Sequence, residues 1–317
     1  MPAIVNLLFN TVFVNTTLSF HYILPVISSL AFLIGVTGHS LIWAVLLRNR
    51  RHRDKPSSIL LLNLSLADLL MLVTLPCALI TASMQGWNLG GVTCVSLAFM
   101  TSVTAGVDVF SLAAMSAVRY LIVVAPKQQI KTCHLLVAVC GIWCVSIAMA
   151  LPKVTFVRCD GNCTWNVGRE KLLGFLVPAF LVYYVLPLVA IALNCGRIVG
   201  HLRRSAAAGL CTVGRHNKKA TALLVGSTLV FAVSWLPYYI IEFMNLSPAP
   251  SVTLLWEVTS LWAIILICLA PCWNPFLYFL LSRMAWNQLK CIFRRPHRFY
   301  LRRSNRVGPP PCVVVQN

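Results

Sequence analysis

Charge is scarce in this chain, and acid most of all. Asp and Glu together number seven among 317 residues, and charged residues of both signs make up only 10%. Soluble domains carry about a quarter charged residues, so with 59% hydrophobic residues the composition excludes that class and indicates a membrane protein. Lys and Arg are absent from residues 1 to 47. The first twenty residues therefore have no basic n-region, and they also lack a small-residue cleavage site, so the first apolar span is expected to insert the chain without a cleaved leader. No nucleophile–base pairing or metal-ligand spacing is evident, which speaks against an enzyme. No internal repeat is evident either, which speaks against the many transporters built from repeats.

What is present is a succession of apolar runs. A helix needs about 20 apolar residues to cross the hydrocarbon core. Runs at 22-47, 58-82, 92-123, 134-152, 172-200, 219-244 and 253-281 predict seven crossings and an all-α membrane fold. The expected organisation is an extracellular tail over 1-21, a seven-helix bundle over 22-282, a short amphipathic membrane-surface helix over 283-294 and a basic cytoplasmic tail over 295-317. Basic residues sort by side. The loop "RNRRHRDKP" and the tail "RRPHRFYLRRSNR" are rich in them, and all but four of the 26 Lys and Arg fall at one face. Such residues accumulate on the cytoplasmic side, which places the N-terminus outside and the C-terminus inside. The net charge of +19 thus follows topology. It points to anionic membrane lipid and away from nucleic acid, because no base-reading motif accompanies it. The four exceptions, Lys153, Arg158, Arg169 and Lys171, share one outer loop.

Sequons at Asn15, Asn162 and Asn245 fall on the expected outer side, with Asn15 the best placed for glycosylation and Asn63 buried in a span and silent. Of thirteen cysteines only Cys94, Cys159 and Cys163 reach the outside, where three thiols allow one bridge and leave one over. The stretch "TFVRCDGNCTWN" reads as a β-hairpin lid turning at Asp160-Gly161, a dipeptide that tolerates the positive φ of a two-residue loop.

Two polar features interrupt the apolar runs. Asp68 stands in the middle of "ILLLNLSLADLLMLVTLP", where an ionised group in lipid is costly and marks a site facing protein or water. Asp108, Asn274 and His39 lie at comparable depth in other spans. In the sixth span Trp235, Tyr238, Tyr239 and Glu242 follow i, i+3, i+4, i+7 spacing and line one helix face beside Pro237, whose missing N–H kinks a helix.

Taken together, "NLSLADLL", Cys94 at the outer start of the third span, Arg119-Tyr120 at its inner end, "SWLP" in the sixth and "NPFLY" in the seventh resemble a rhodopsin-like G-protein-coupled receptor over about residues 22 to 294. The strings "LNLSLADL", "TLP" and "WNLGG", with the hairpin, resemble the peptide-receptor branch, galanin-like and somatostatin-like receptors nearest. Thr101 and Cys268 stand where aminergic receptors carry Asp and opsins carry Lys, and the tail over 1 to 21 lacks the acids and tyrosines usual in chemokine-type receptors.

The resemblance implies a plasma-membrane receptor that binds an extracellular peptide and signals to a heterotrimeric G protein, with arrestin as a further partner and no cofactor beyond an allosteric sodium ion. It implies a Cys94–Cys163 disulfide, a ligand pocket of Thr101, Trp235, Tyr238, Tyr239, Glu242 and Glu257, and a switch at Val118, Arg119, Tyr120, Pro275 and Tyr278. Cys291 becomes a palmitoylation candidate in a short inner helix anchored by Trp286 and Phe293. Glu242 and Glu257 are positioned to meet a basic ligand group or to pair at the surface with the four outer cations. Departures from the family pattern are His39 for Asn, Asp108 for a small residue, Val118 for Asp and Cys195 for Tyr. Three states stay open at Asp68 and Asp108: bound sodium, a charged His39 paired with them, or one neutral carboxyl. Two other functions stay open as well, a decoy or scavenger receptor of the same fold with weak coupling and an ion-coupled transporter or channel.

Overall fold

The computed structural model describes residues 2–48, 55–83, 89–126, 130–159, 163–207, 214–246 and 254–294, and among these the side chains of 2–24, 78–83, 164, 206, 214–218, 254–258, 261, 283–284 and 291–294 lie outside the description. Helices α1 (Pro2–Arg48), α2 (Pro56–Ser83), α3 (Gly90–Val124) and α4 (Thr132–Ala150) come first. A short helix, Pro152–Phe156, leads into strands β1 (Val157–Cys159) and β2 (Cys163–Trp165). The fifth rod, α5, runs through Arg169–Phe180, a π-helical turn Leu181–Val185 and Leu186–Ala207. Then come α6 (Gly214–Met244), α7 (Leu254–Leu281) and α8 (Arg283–Arg294). Seven of these rods are long and apolar enough to cross a membrane, at Pro25–Arg48, Pro56–Cys77, Gly90–Val124, Thr132–Phe156, Arg169–Ser205, Lys219–Met244 and Trp262–Leu281. The chain is a multi-pass membrane protein.

Local chemistry sets the ends. Pro56 opens α2, where its missing N–H would have had no partner. Gly90 starts α3 at φ 77, a conformation open to glycine and strained for other residues. Ser282 caps α8 by accepting the Ala285 N–H at 3.2 Å. The helix of α1 continues back to Pro2 instead of starting near residue 22, so the expected N-terminal tail is helical backbone carrying Asn15, whose side chain lies outside the description. The tail over 295–317 and the sequon residue Asn162 are also outside it.

In the bundle, α3 packs against α2, α4, α5, α6 and β1, while α1 closes the ring against α2 and α7. Leu, Ile and Val occupy both faces of the rods. Ile42, Leu46, Leu64, Leu112 and Ile191 turn inward into the main core, whereas Val26, Leu30, Leu33 and Ile34 of α1 and Leu229 and Val233 of α6 turn outward, as helices solvated by lipid require. Close approach depends on small residues. A Cβ at Gly38 would meet Pro275 at 2.7 Å, and one at Gly106 would meet Tyr183 at 2.7 Å and Ser146 at 2.8 Å.

The hairpin forms, with Val157 opposite Trp165 and Cys159 opposite Cys163. Three residues, 160 to 162, connect the strands in place of the expected two-residue turn, and Asp160-Gly161 lie outside the described residues. The Cys94–Cys163 disulfide, with its Cα atoms 5.7 Å apart, straps β2 to the start of α3. Cys159 is a free, half-buried thiol.

Candidate functional site

Three polar constellations lie along the bundle. The first is at mid-depth and begins with a proline. Pro275 has no N–H, so the carbonyl of Pro271, four residues earlier, loses its helical partner. His39 of α1 fills the gap, donating from Nε2 at 2.9 Å to the Pro271 oxygen. The same nitrogen lies 3.5 Å from Asp68 Oδ2. His39 Nδ1 is 2.8 Å from Ser65 Oγ, which also accepts the Trp43 indole N–H at 3.1 Å. Ser65 has one hydroxyl proton to give. With it donated to Nδ1, every member of the chain Trp43–Ser65–His39–Pro271 is satisfied by a neutral imidazole. His39 is fully buried, and Asp68 is 2% exposed. Asp68 Oδ2 also accepts the Asn274 amide at 2.8 Å. Asp108 of α3 lies near enough for its charge to act on Asp68. Its Oδ1 is buried without a hydrogen-bond partner among the described residues. Asp68 and Asn274 are therefore hydrogen-bonded to each other, with His39 Nε2 3.5 Å from Asp68 Oδ2 and Asp108 adjacent, its Oδ1 outside that bond.

The second constellation lines the half of the bundle that the hairpin caps. Trp235, at the floor, packs on Phe231 and on Tyr238, with centroids 6.0 and 5.7 Å away. Tyr239 packs edge-on against Phe180 of α5 at 5.0 Å. Tyr184, in the π-helical turn, donates its hydroxyl at 2.9 Å to the Ala232 carbonyl, beside the Val233 carbonyl that Pro237 leaves free. A π-turn re-aims the side chains that follow it, and here it brings two tyrosines onto neighbouring helices, since Tyr183 reaches the Ser146 carbonyl of α4 at 3.0 Å. Above this, Glu242 accepts the indole N–H of Trp165 from the hairpin at 3.0 Å, with the Tyr238 hydroxyl beside the same carboxylate. Lys153 donates to the Tyr238 hydroxyl at 3.5 Å. Thr101 is half-buried on α3, its carbonyl taken by the Thr104 hydroxyl at 3.2 Å. The side chain of Glu257 lies outside the described residues.

One expectation is corrected here. Lys153 and Glu242 are not surface charges, for each is 8% exposed. Docking of the short helix and the hairpin against α6 covers both. Sequence reasoning also missed Trp165 as a site residue. Its place in the hairpin was legible, but its partner seventy-seven positions away was not.

The third constellation is at the end of the bundle opposite the hairpin. Val118, where the family pattern has Asp, is buried in an apolar cluster with Leu60 and Leu135. Arg119 is half-buried and makes no hydrogen bond or ion pair among the described residues. Tyr120 receives the Arg197 guanidinium 5.9 Å above its ring. Tyr278 is buried in the main core, its hydroxyl beside Ser282. Cys195 is buried in the same core. In α8 the Lys290 ammonium lies 5.4 Å from the exposed Trp286 ring, and the side chain of Cys291 is outside the description. No group of three or more metal-ligating side chains occurs among the described residues.

The profile of the family described as 7 transmembrane receptor (rhodopsin family) matches residues 38–278. Among individual relatives, galanin receptor 2b of Danio rerio is 28% identical over 290 residues, covering 86% of this chain and 75% of that receptor. Somatostatin receptor type 5 of Bos taurus is 29% identical over 282 residues, 85% of this chain and 76% of the other. Galanin receptor type 1 of Homo sapiens is 30% identical over 320 residues, 92% of this chain and 89% of the other.

Proposed function

From the premise that the chain belongs to the rhodopsin family of seven-transmembrane receptors, and so is a G-protein-coupled receptor and not an enzyme, we propose that its ligand is an extracellular peptide. The peptide enters between the hairpin and α6 and acts on Trp235. The observation that carries this reading is the contact of Trp165 with Glu242: a residue of the outer hairpin is tied to the helix face that leads through Tyr238 to Trp235 and the Pro237 kink. A ligand that breaks or tightens this tie shifts the balance between two settings of α6 by its differential affinity for them. The relatives named for galanin and somatostatin support a peptide as the ligand class. Nucleotide exchange on a G protein, measured in membranes carrying the full chain against galanin, somatostatin and a peptide library, tests it. Activation by a peptide, abolished with Trp235→Ala, is expected. Activation only by amines or lipids refutes it.

The proposal places the receptor in the plasma membrane with its N-terminus outside, following the basic residues at the opposite face. The G protein, and arrestin after it, would dock around Arg119, and α8 would lie on the inner leaflet with Trp286 in lipid. At mid-depth Asp68 and Asp108 would hold a sodium ion. The unpartnered Asp108 Oδ1 beside a second carboxylate supports this, because oxygen donors of negative charge suit a hard cation. A hydrogen-bond chain that closes around neutral His39 leaves that charge for an ion or a proton to balance.

A further inference from the structure

Lys153 is the most unusual charge in the molecule. It follows Pro152 in the first turn of the short helix that ends α4, and it is 8% exposed. A buried ammonium has three N–H donors and a full charge to satisfy, and proteins ordinarily supply a carboxylate for it. Among the described residues its one hydrogen bond is the long one to the Tyr238 hydroxyl, at 3.5 Å. The remaining neighbours on this side are rings, with Trp165 and Tyr238 centred 5.5 and 5.9 Å from Nζ. No carboxylate oxygen lies within 4 Å of Nζ among the described residues. Glu242 is close enough for its charge to act on Lys153 but makes no hydrogen bond to it, since its Oε2 accepts the Trp165 indole and the Tyr238 hydroxyl lies beside the same carboxylate. The two charges share one aromatic wall that keeps their atoms more than an ion-pair distance apart.

We propose that Lys153 is the anchor for a carboxylate carried by the ligand, with an aromatic or apolar side chain next to that carboxylate packing on Trp165 and Phe175. Trp165 and Phe175 form a continuous surface, their centroids 5.9 Å apart, bordered by Leu172, Leu176 and Leu246. A carboxylate supplies two acceptor oxygens to donors that lack them, and it does so without stripping Glu242 of the indole. A ligand amine would meet Glu242 with the Trp165 indole and the Tyr238 hydroxyl already on its carboxylate, whereas Lys153 keeps donors unspent after its one long hydrogen bond, so the unmet demand is for an acceptor. The asymmetry between the two buried groups therefore selects an acid. This rests on the peptide reading and narrows it to peptides that end in a free carboxylate after an aromatic or large apolar residue, or carry an acid there.

The test uses the purified full-length receptor and two probes, N-acetylphenylalanine and its neutral isostere N-acetylphenylalaninamide, at constant ionic strength. The thermal unfolding midpoint is followed as each is titrated, since a compound that binds only the folded state raises it saturably. The acid is expected to raise the midpoint and the amide to leave it unchanged. Lys153→Gln should weaken the acid by about tenfold or more, the loss of one charge-assisted contact. Lys153→Arg should retain most of the effect. Equal shifts from acid and amide, no shift from either, or an acid response that survives Lys153→Gln each overturn the proposal, and the comparison on the parent protein decides even where Lys153→Gln does not fold. Peptide activation without a carboxylate preference would sink the anchor and leave the peptide reading standing. A Lys153-dependent acid response with no activating peptide would do the reverse.

Discussion

His39 of α1 donates to the carbonyl of Pro271 in α7, the one carbonyl in that helix turn that Pro275 cannot serve. A family position normally held by Asn is thus filled by a ring whose Nε2 reaches one bond farther than an Asn amide, and the first and last spans are joined through a buried polar bond. His39→Leu leaves that carbonyl and Ser65 unpaired and is expected to cost about 1 to 3 kcal/mol for each buried group orphaned. His39→Gln, whose amide nitrogen sits at the reach of Nε2, should recover part of it. Thermal midpoints of the purified receptor check this, and equal losses in both variants would remove the hydrogen bond from the account.

Gly106→Ala puts a methyl group 2.7 Å from the Tyr183 ring. The ring is buried and bonded to the Ser146 carbonyl, so it has little room to retreat. The expected loss is about 1 to 3 kcal/mol, as overpacking typically gives. Gly141→Ala, with nothing within 4 Å of the added carbon, is the control and should be neutral.

Non-reducing peptide mapping should recover Cys94 linked to Cys163. Replacing either by Ser is expected to reduce surface expression severalfold, whereas Cys159→Ser, which removes a free thiol, should not. A Cys94–Cys159 linkage in the native receptor would contradict the pairing.

Sodium at Asp68 and Asp108 would oppose activation, because an ion that selects one state must weaken a ligand that selects the other. Agonist affinity should fall as sodium replaces potassium at equal ionic strength, and Asp108→Asn should blunt the difference. Identical responses to both ions would leave a proton as the balancing charge.

Val118 lacks the carboxylate that restrains the neighbouring Arg in the family pattern, and Arg119 is without an ion pair among the described residues. Raised ligand-free signalling is expected, with Val118→Asp lowering it by up to about tenfold at matched surface expression, the equivalent of about 1.4 kcal/mol in the two-state balance. Val118→Ala is the apolar comparison and should leave basal signalling high. Because the site is lined by Leu60 and Leu135, Val118→Asp should also reduce yield, which is why expression must be matched.

The helical periodicity of residues 235 to 242 was enough to place Trp235, Tyr238 and Glu242 on one face, because that relation is local to a single helix. The seven spans were legible for the same reason, apolar length being a property of each run taken alone. What the sequence could not disclose depends on contacts across the bundle. His39 meets Pro271 across 232 positions, and Lys153 loses its solvent only when the hairpin and α6 close over it. A lysine after a proline, in a stretch with three other cations, reads as a loop charge until its neighbours are known. The π-helical turn of α5 left no mark that could be read from spacing.

The strap between Cys94 and Cys163 also orders events during synthesis. Between its two sulfurs lie α3 and α4, both of which cross the membrane, so the bond has to wait until the chain has passed through the bilayer and returned. Cys159 arrives on the return journey first, with its Cα paired across the hairpin from that of Cys163. The nascent receptor thus presents Cys159 to Cys94 before it presents Cys163, and the native bond is not the first one open to it.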